Sequence, residues 1–302
     1  MNMKNLKPRS GSASDGFSLL ELMVSLTVML IVAGSTLSVL SYSQKLFVSQ
    51  QMQADMHAGL RGAFELLTQE IGQAGALNFQ AQTLSAAVTS SSSAQTVSIS
   101  SSANMFVGEQ LTVGTGSSQE TVTVTAIPGA TQVTGIFQKN HATASPIVAR
   151  GIFPQGVLSS SSSTSLKMFG DINGNGTLTY VQYDCDMTAG TLSRSITTIA
   201  PGVTTRSASQ TLLTDMITNP GGTPCFQYGA AVSAGGYSFI PSVAVSLTLQ
   251  TARQDAQTGA YVTMTKSFSN LSSRNILTGI TLAQAGVTNR LQPTPPGIPL
   301  GP

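Results

Sequence analysis

The chain has 302 residues, of which 14 are basic and 12 acidic, for a formal net charge of +2 and a charged fraction of 9%. That length is ample for a buried core, and so little charge excludes disorder driven by self-repulsion. Without a cluster of Lys or Arg to neutralise a row of phosphates, a nucleic-acid surface is excluded too; the absence of Trp and the two His, beside abundant Ser, Thr and Gly, read as an exported, strand-rich protein.

Residues 1–16 carry Lys4, Lys7 and Arg9 and no apolar run. An apolar block follows from Phe17 to Leu40, whose 24 residues span about 36 Å as a helix, enough for a bilayer core. Basic residues ahead of it place the N-terminus on the cytoplasmic side. The block is too long for the core of an ordinary secretory signal, and it contains a carboxylate, Glu21. In lipid that side chain either snorkels to the interface or requires a positive partner.

The run Asp15-Gly16-Phe17-Ser18-Leu19-Leu20-Glu21-Leu22-Met23-Val24 resembles the processing site of type IV prepilins and of the pseudopilins of type II secretion. The resemblance covers about 25 residues and combines a basic leader, Gly then Phe, a Glu four positions on, and an apolar helix. It implies a leader ending at Gly16, cleavage by a prepilin peptidase, and N-methylation of Phe17. It also implies that Glu21 helps recruit the subunit and meets the N-terminal amine of a neighbour's Phe17. Removal of Lys4, Lys7, Arg9 and Asp15 would leave 11 basic and 11 acidic side chains, so the mature subunit is neutral apart from its termini.

Beyond Leu40 the helix is expected to continue. Met52, Met56, Leu60, Phe64, Leu67 and Ile71 recur at helical spacing, and Gly72 and Gly75 are candidate terminators. One helix is therefore expected over 17–78, with 17–40 as its membrane or filament part. The absence of a proline within the apolar half favours a minor pilin or pseudopilin by resemblance. The Met-containing stripe is either an adaptable binding face or, as favoured here, core packing against a sheet.

After Ile71 the composition turns to Ser, Thr, Gly and Val in period-two runs. Ser90–Ser93 and Ser159–Ser163 read as flexible linkers. Between them, residues 94–150 read as a β-rich insertion or lobe, with Val97 and Ile99, Leu111 and Val113, and Val122 and Val124 facing one way and a turn at Pro128-Gly129. Strands are expected at Ser165–Phe169, Thr177–Tyr183, Thr191–Ile196, Ser242–Gln250 and Tyr261–Phe268, the last two as a hairpin. Clean alternation calls for an antiparallel sheet with one buried face, and the long helix can supply the cover. The expected fold class is α+β and pilin-like: leader 1–16, helix 17–78, β-rich periplasmic head 79–292 containing the insertion, and a disordered proline-rich tail 293–302. The head and the Arg274-Asn275 dipeptide resemble minor pilins of the PilW kind.

Cys185 and Cys225 are the only cysteines. In an oxidising periplasm a disulfide is expected, the alternative being two unpaired buried thiols. Asp171-Ile172-Asn173-Gly174-Asn175-Gly176 matches the first half of a calcium loop through Asp171, Asn173 and Asn175. The twelfth position, however, is the uncharged Gln182, with Asp184 or Asp186 as possible substitutes. The same residues also suit a plain turn. His57 and His141 are expected at the surface, and no nucleophile, phosphate-loop or zinc motif is present.

These residues point to a non-enzymatic minor pilin without cofactors, calcium apart, that waits in the inner membrane with a periplasmic head and then enters a pilus or pseudopilus. Its expected partners are other major and minor pilins, the prepilin peptidase, the inner-membrane assembly platform and, before assembly, the lipid bilayer. The alternatives are a pseudopilin of type II secretion or DNA uptake, and a membrane-anchored adhesin or ligand-binding β protein.

Overall fold

A computed structural model describes Gly16 and residues 18–200 and 203–298, the Arg150 side chain excepted. Most of the expected leader, Phe17 and residues 299–302 lie outside the described residues. Helix α1 (Leu19–Gln73) has 55 residues, or about 82 Å. From Leu19 to Val48 every residue is exposed. From Ser49 onward one face is buried, through Met56, Leu60, Ala63, Phe64, Leu67 and Ile71. The Met-containing stripe is thus core, with Met52 half-buried at its edge.

The helix stops five residues short of the expected 78. Gly75 adopts φ +77°, and a β-carbon there would lie 2.8 Å from the Phe153 carbonyl oxygen, so the reversal needs glycine. Its N–H donates to Phe169 O and its carbonyl accepts from Phe153 N, both at 2.9 Å. Residues that continued the helix by composition become strand β1 (Ala76–Asn78), paired antiparallel with β9 (Arg150–Ile152).

Between β1 and β9 lie β2 (Gln82–Thr83), β3 (Gln95–Ser98), β4 (Gln110–Val113), β5 (Glu120–Thr123), β6 (Ala126–Gly129), β7 (Gln132–Gly135) and β8 (Pro146–Val148). They form two antiparallel sheets, β2-β8-β4-β5 and β3-β7-β6. Val97, Ile99, Leu111, Val113, Val122 and Val124 all face their shared core. Pro128-Gly129 ends β6 instead of forming the turn, and a register shift between Ala126 and Gly129 accommodates the proline. The lobe also begins earlier than 94: Leu84 bridges Ile99 and Val88 bridges His141. Ser90–Ser93 is therefore no linker. Ser91 N–H donates to Phe137 O at 2.7 Å and Ser90 N–H to Asn140 Oδ1 at 2.7 Å.

The head proper contains β10 (Ser165–Gly170), β11 (Thr179–Asp186), β12 (Thr191–Thr198) and β13 (Gln210–Leu213) in one antiparallel sheet. A second sheet joins β14 (Met216–Ile217) and β15 (Phe226–Tyr228) to one side of β18 (Val243–Gln250), with β19 (Thr263–Leu271) on the other. A small hairpin, β16 (Val232–Ala234) and β17 (Tyr237–Phe239), precedes β18. Ser159–Ser163 is again a hydrogen-bonded turn: Ser161 Oγ accepts from Lys167 N at 3.0 Å, and the Ser162 carbonyl accepts from the Tyr228 hydroxyl at 3.0 Å. Both serine runs are ordered because their hydroxyls pair with turn backbone that water would otherwise solvate.

Two cores result, and β10 and β11 serve both. Leu166, Met168, Val181 and Tyr183 face α1, while Phe169 and Tyr180 face the lobe. Strands buried on both sides lose clean alternation, as the continuous burial of Thr179–Tyr183 shows. A second helix, α2 (Arg274–Gln284), follows β19 and buries Ile276, Gly279 and Ala283. The expected disordered tail departs from expectation over 293–298. Leu291 bridges Ile152, Gln292 exchanges hydrogen bonds with the Gln110 backbone at 2.8 Å, Pro295 is buried and Ile298 packs on the lobe core.

Candidate functional site

The N-terminal half of α1 is the candidate. Ser18 caps it: its hydroxyl accepts from Leu20 N at 3.3 Å, and the Glu21 carboxylate accepts from Ser18 N at 3.3 Å. This reciprocal capping box places Glu21 at the helix's positive end, where a carboxylate is stabilised. Ser18-x-x-Glu21 is its sequence signature, and it escapes notice when Glu21 is weighed only as a charge in lipid. Gly16 lies just before the cap, exposed, and a β-carbon there would touch nothing within 4 Å.

Along the exposed face, an 18-residue window of α1 reaches a mean hydropathy of 2.1. Several of its hydroxyls are turned onto the helix itself. Ser25 donates to Glu21 O at 2.7 Å, Thr27 to Met23 O at 2.8 Å and Thr36 to Val32 O at 2.8 Å, so these three need no partner outside the helix. By length and composition the segment suffices to cross a membrane.

The other half is seated on the head at successive levels. At Ser49, the first buried residue of α1, the hydroxyl donates to the Asp255 carboxylate. That bond, with the N–H groups of Thr258 and Gln257, holds the Asp255 carboxyl down at about 2. Higher up, the Phe64 and Phe268 rings meet edge to face at 5.0 Å, and the Lys266 ammonium stands 5.2 Å over Phe64. Glu70, buried, accepts from the Tyr183 hydroxyl and from both Nε, at 3.1 Å, and the terminal guanidinium of Arg194. Burial first, and then the Glu70 charge, push the Tyr183 phenol upward. At the top Ser273 Oγ donates to Ala74 O at 2.6 Å, and Asn275 Nδ2 to Gln73 O at 3.3 Å. Asn275 of the Arg274-Asn275 dipeptide thus closes the C-terminal end of α1.

Cys185 and Cys225 form a disulfide with Cα atoms 6.6 Å apart, joining β11 to the residue before β15. The Asp171 loop is closed by its own side-chain hydrogen bonds. Both Asp171 oxygens accept backbone N–H groups within the turn, from Asn175 and Gly176 at 3.0 Å. Asn175 Oδ1 accepts from Thr177 N at 3.0 Å, which ties it to the turn, and no side-chain hydrogen bond links Asn173 to the others. Gln182 lies in β11, its amide oxygen taken by the Tyr180 hydroxyl at 2.8 Å and its nitrogen by Asp184 at 2.7 Å. Asp184 in turn pairs with Arg206 at 3.1 Å, and Asp186 accepts the turn amides of Thr188 and Ala189. No group of three or more His, Cys, Asp or Glu able to hold a metal occurs among the described residues.

His57 is exposed, but His141 departs from its expected surface position. It is buried in the lobe with Nε2 2.7 Å from Glu120 Oε1. Glu109 has no counterpart in the sequence reading: it is fully buried, its Oε2 accepts only a long bond of 3.4 Å from Phe106 N, and its Oε1 has no partner. Desolvation pushes its carboxyl up to about 8.

Residues 12–37 match a family model described as the prokaryotic N-terminal methylation motif. The chain therefore carries the N-methylation motif of type IV prepilin-like proteins, which implies processing by a prepilin peptidase and assembly with pilins. No curated protein and no solved structure matches the chain.

Proposed function

We propose that this chain is a minor pilin, in the PilW manner, cleaved after Gly16 and N-methylated on Phe17, which primes or caps a type IV pilus. The supporting observation is the division of α1: its first thirty residues, Leu19–Val48, touch nothing else in the protein's interior, while the next twenty-five are built into the head. An apolar surface of that length needs another apolar medium. Lipid supplies it first, and a bundle of like helices supplies it in the filament.

Glu21 is then the registering charge. In the single chain its carboxylate caps its own helix, and the same position presents it to the N-terminal amine of an adjacent mature Phe17. Replacement, as Glu21→Ala, is expected to leave the protein processed and membrane-bound but absent from sheared filaments, as read by immunoblot of the two fractions. Normal incorporation of the variant overturns the proposal. Filaments lost together with type II secretion, with no pilus affected, would move the subunit to a pseudopilus. A leader still attached in the mature protein would favour an anchored adhesin.

A further inference from the structure

Two clefts adjoin on the seam between the lobe and the C-terminal part of the head, and they differ in kind. The first, of about 490 Å³, is lined mainly by Leu77 of β1, Phe79, Val148 of β8, Ile152 of β9 and Leu282 of α2. The second, of about 610 Å³, is lined by Thr112, Thr115, Thr121, Gln119 and Asn289 beside the backbone of Gly114. Val148 and Arg290 line both, so an apolar cleft and a polar one meet at a guanidinium. Each is in the size range of small-molecule sites.

The backbone that carries Arg290 is fixed. It ends the single turn Thr288–Arg290, and Leu291 and Gln292 directly after it are fully buried. Leu291 bridges Ile152, and Gln292 bonds the Gln110 backbone. Strand β9 passes so close that a β-carbon at Gly151 would collide with the Arg290 carbonyl oxygen, which leaves room for glycine alone. The Arg290 side chain is exposed and makes no ion pair among the described residues. Glu120, the other charged side chain lining the polar cleft, is already satisfied. Its Oε2 accepts from Gln138 N at 2.8 Å, and its Oε1 accepts from Lys139 N at 3.1 Å and lies 2.7 Å from His141 Nε2. Arg290 is the charge left for a ligand.

The hydroxyls and carboxamides of the polar cleft make no side-chain hydrogen bond among the described residues, and each can both donate and accept, as the hydroxyls of a polyol do. The apolar cleft calls for hydrocarbon. An extended peptide on this seam would need open strand edges to pair with. Strand β8 is paired to β2 and β4, and β4 to β8 and β5, while β9 is held by β1 on one side and Leu291 on the other.

We propose that the seam binds one molecule of an anionic amphiphile, with its hydrocarbon tail in the apolar cleft, its phosphate or carboxylate on Arg290 and a hydroxylated head group in the polar cleft. Burial of the tail supplies the affinity. The guanidinium supplies the selectivity, because only an anion at the junction pairs with it. The site belongs to the head alone and is independent of what surrounds the apolar half of α1.

The probe is a medium-chain lysophosphatidylglycerol with a diazirine at the end of its acyl chain. It is added below its micelle concentration to the full chain in nanodiscs, and adducts are mapped by peptide mass spectrometry. Adducts are expected on residues 77–81, 148–152 and 278–282, beside those on the apolar half of α1, which report simple partition into lipid. Unlabelled lysophosphatidylglycerol is expected to displace the head adducts. Monoacylglycerol, which lacks the anion, and glycerol phosphate, which lacks the tail, are expected to do so about tenfold or more weakly. Arg290→Gln is expected to remove the head adducts and spare those on α1, and Arg290→Lys to keep both. Adducts confined to α1, equal displacement by monoacylglycerol, or head adducts unchanged in Arg290→Gln overturn the proposal. Displacement by an acidic apolar peptide and not by lysophosphatidylglycerol puts a protein segment in the seam and overturns it too.

Discussion

Glu70 is a carboxylate on the buried side of a helix whose other buried side chains are almost all apolar, and Arg194 and Tyr183 from the facing sheet satisfy it. Removing one partner strands the other charge in a medium that cannot solvate it. Arg194→Ala is therefore expected to cost about 3–5 kcal/mol in head stability by denaturant titration, and Arg194→Ala with Glu70→Leu to recover most of it. Glu109 behaves in the opposite sense because nothing neutralises it. Its folded pKa of about 8 stands above the ordinary 4.5, so the folded state holds the proton more tightly than the unfolded one. That contribution is complete below about pH 4.5 and is lost as pH rises through about 8. The lobe of the wild-type protein is expected to melt at falling temperature across that window, and Glu109→Gln to flatten the dependence. Neither residue stands out in the sequence, since burial is a property of what packs above it.

At the scale of elements, α1 is one helix in two solvents. Its whole length shows little amphipathic character because an all-apolar half and a one-sided half are joined without a break. The apolar half is legible directly, since only its composition matters in lipid. The striped half is legible through its period. Its end is less so: Ala76, Leu77 and Asn78 suit a helix, and pairing with β9 together with the left-handed Gly75 makes them a strand. Helix α2 is the element that the strand-dominated reading missed, though Ser273 ahead of Ile276, Ile280 and Ala283 is a cap followed by helical spacing. The Asp171 loop is ambiguous at this scale, because a calcium motif and an Asx turn share the same Asp, Asn and Gly letters.

For the whole molecule, two cores back onto a common sheet, and the disulfide reinforces only one of them. Cys185 and Cys225 lie in the core that holds α1, and the bridge closes a separation of 40 residues. In the chain-entropy model its removal costs up to roughly 4 kcal/mol. Cys185→Ser with Cys225→Ser is expected to speed hydrogen exchange in β15 and β18 while β4 and β5 keep their protection. Equal loss in both would show that the cores unfold as one unit.

The sequence by itself determined the apolar half of α1, the N-terminal methylation motif over residues 12–37, the alternating strands and the availability of a disulfide. These depend on composition, periodicity and local motif, which neighbours in the chain already carry. Only the tertiary structure decided where α1 ends, that both serine runs and part of the tail are ordered, that β10 and β11 are covered on both faces, and that the β18–β19 tip reaches Ser49. Each of those outcomes rests on a hydrogen bond or an apolar contact between residues far apart in the chain, and no local pattern records such a partner.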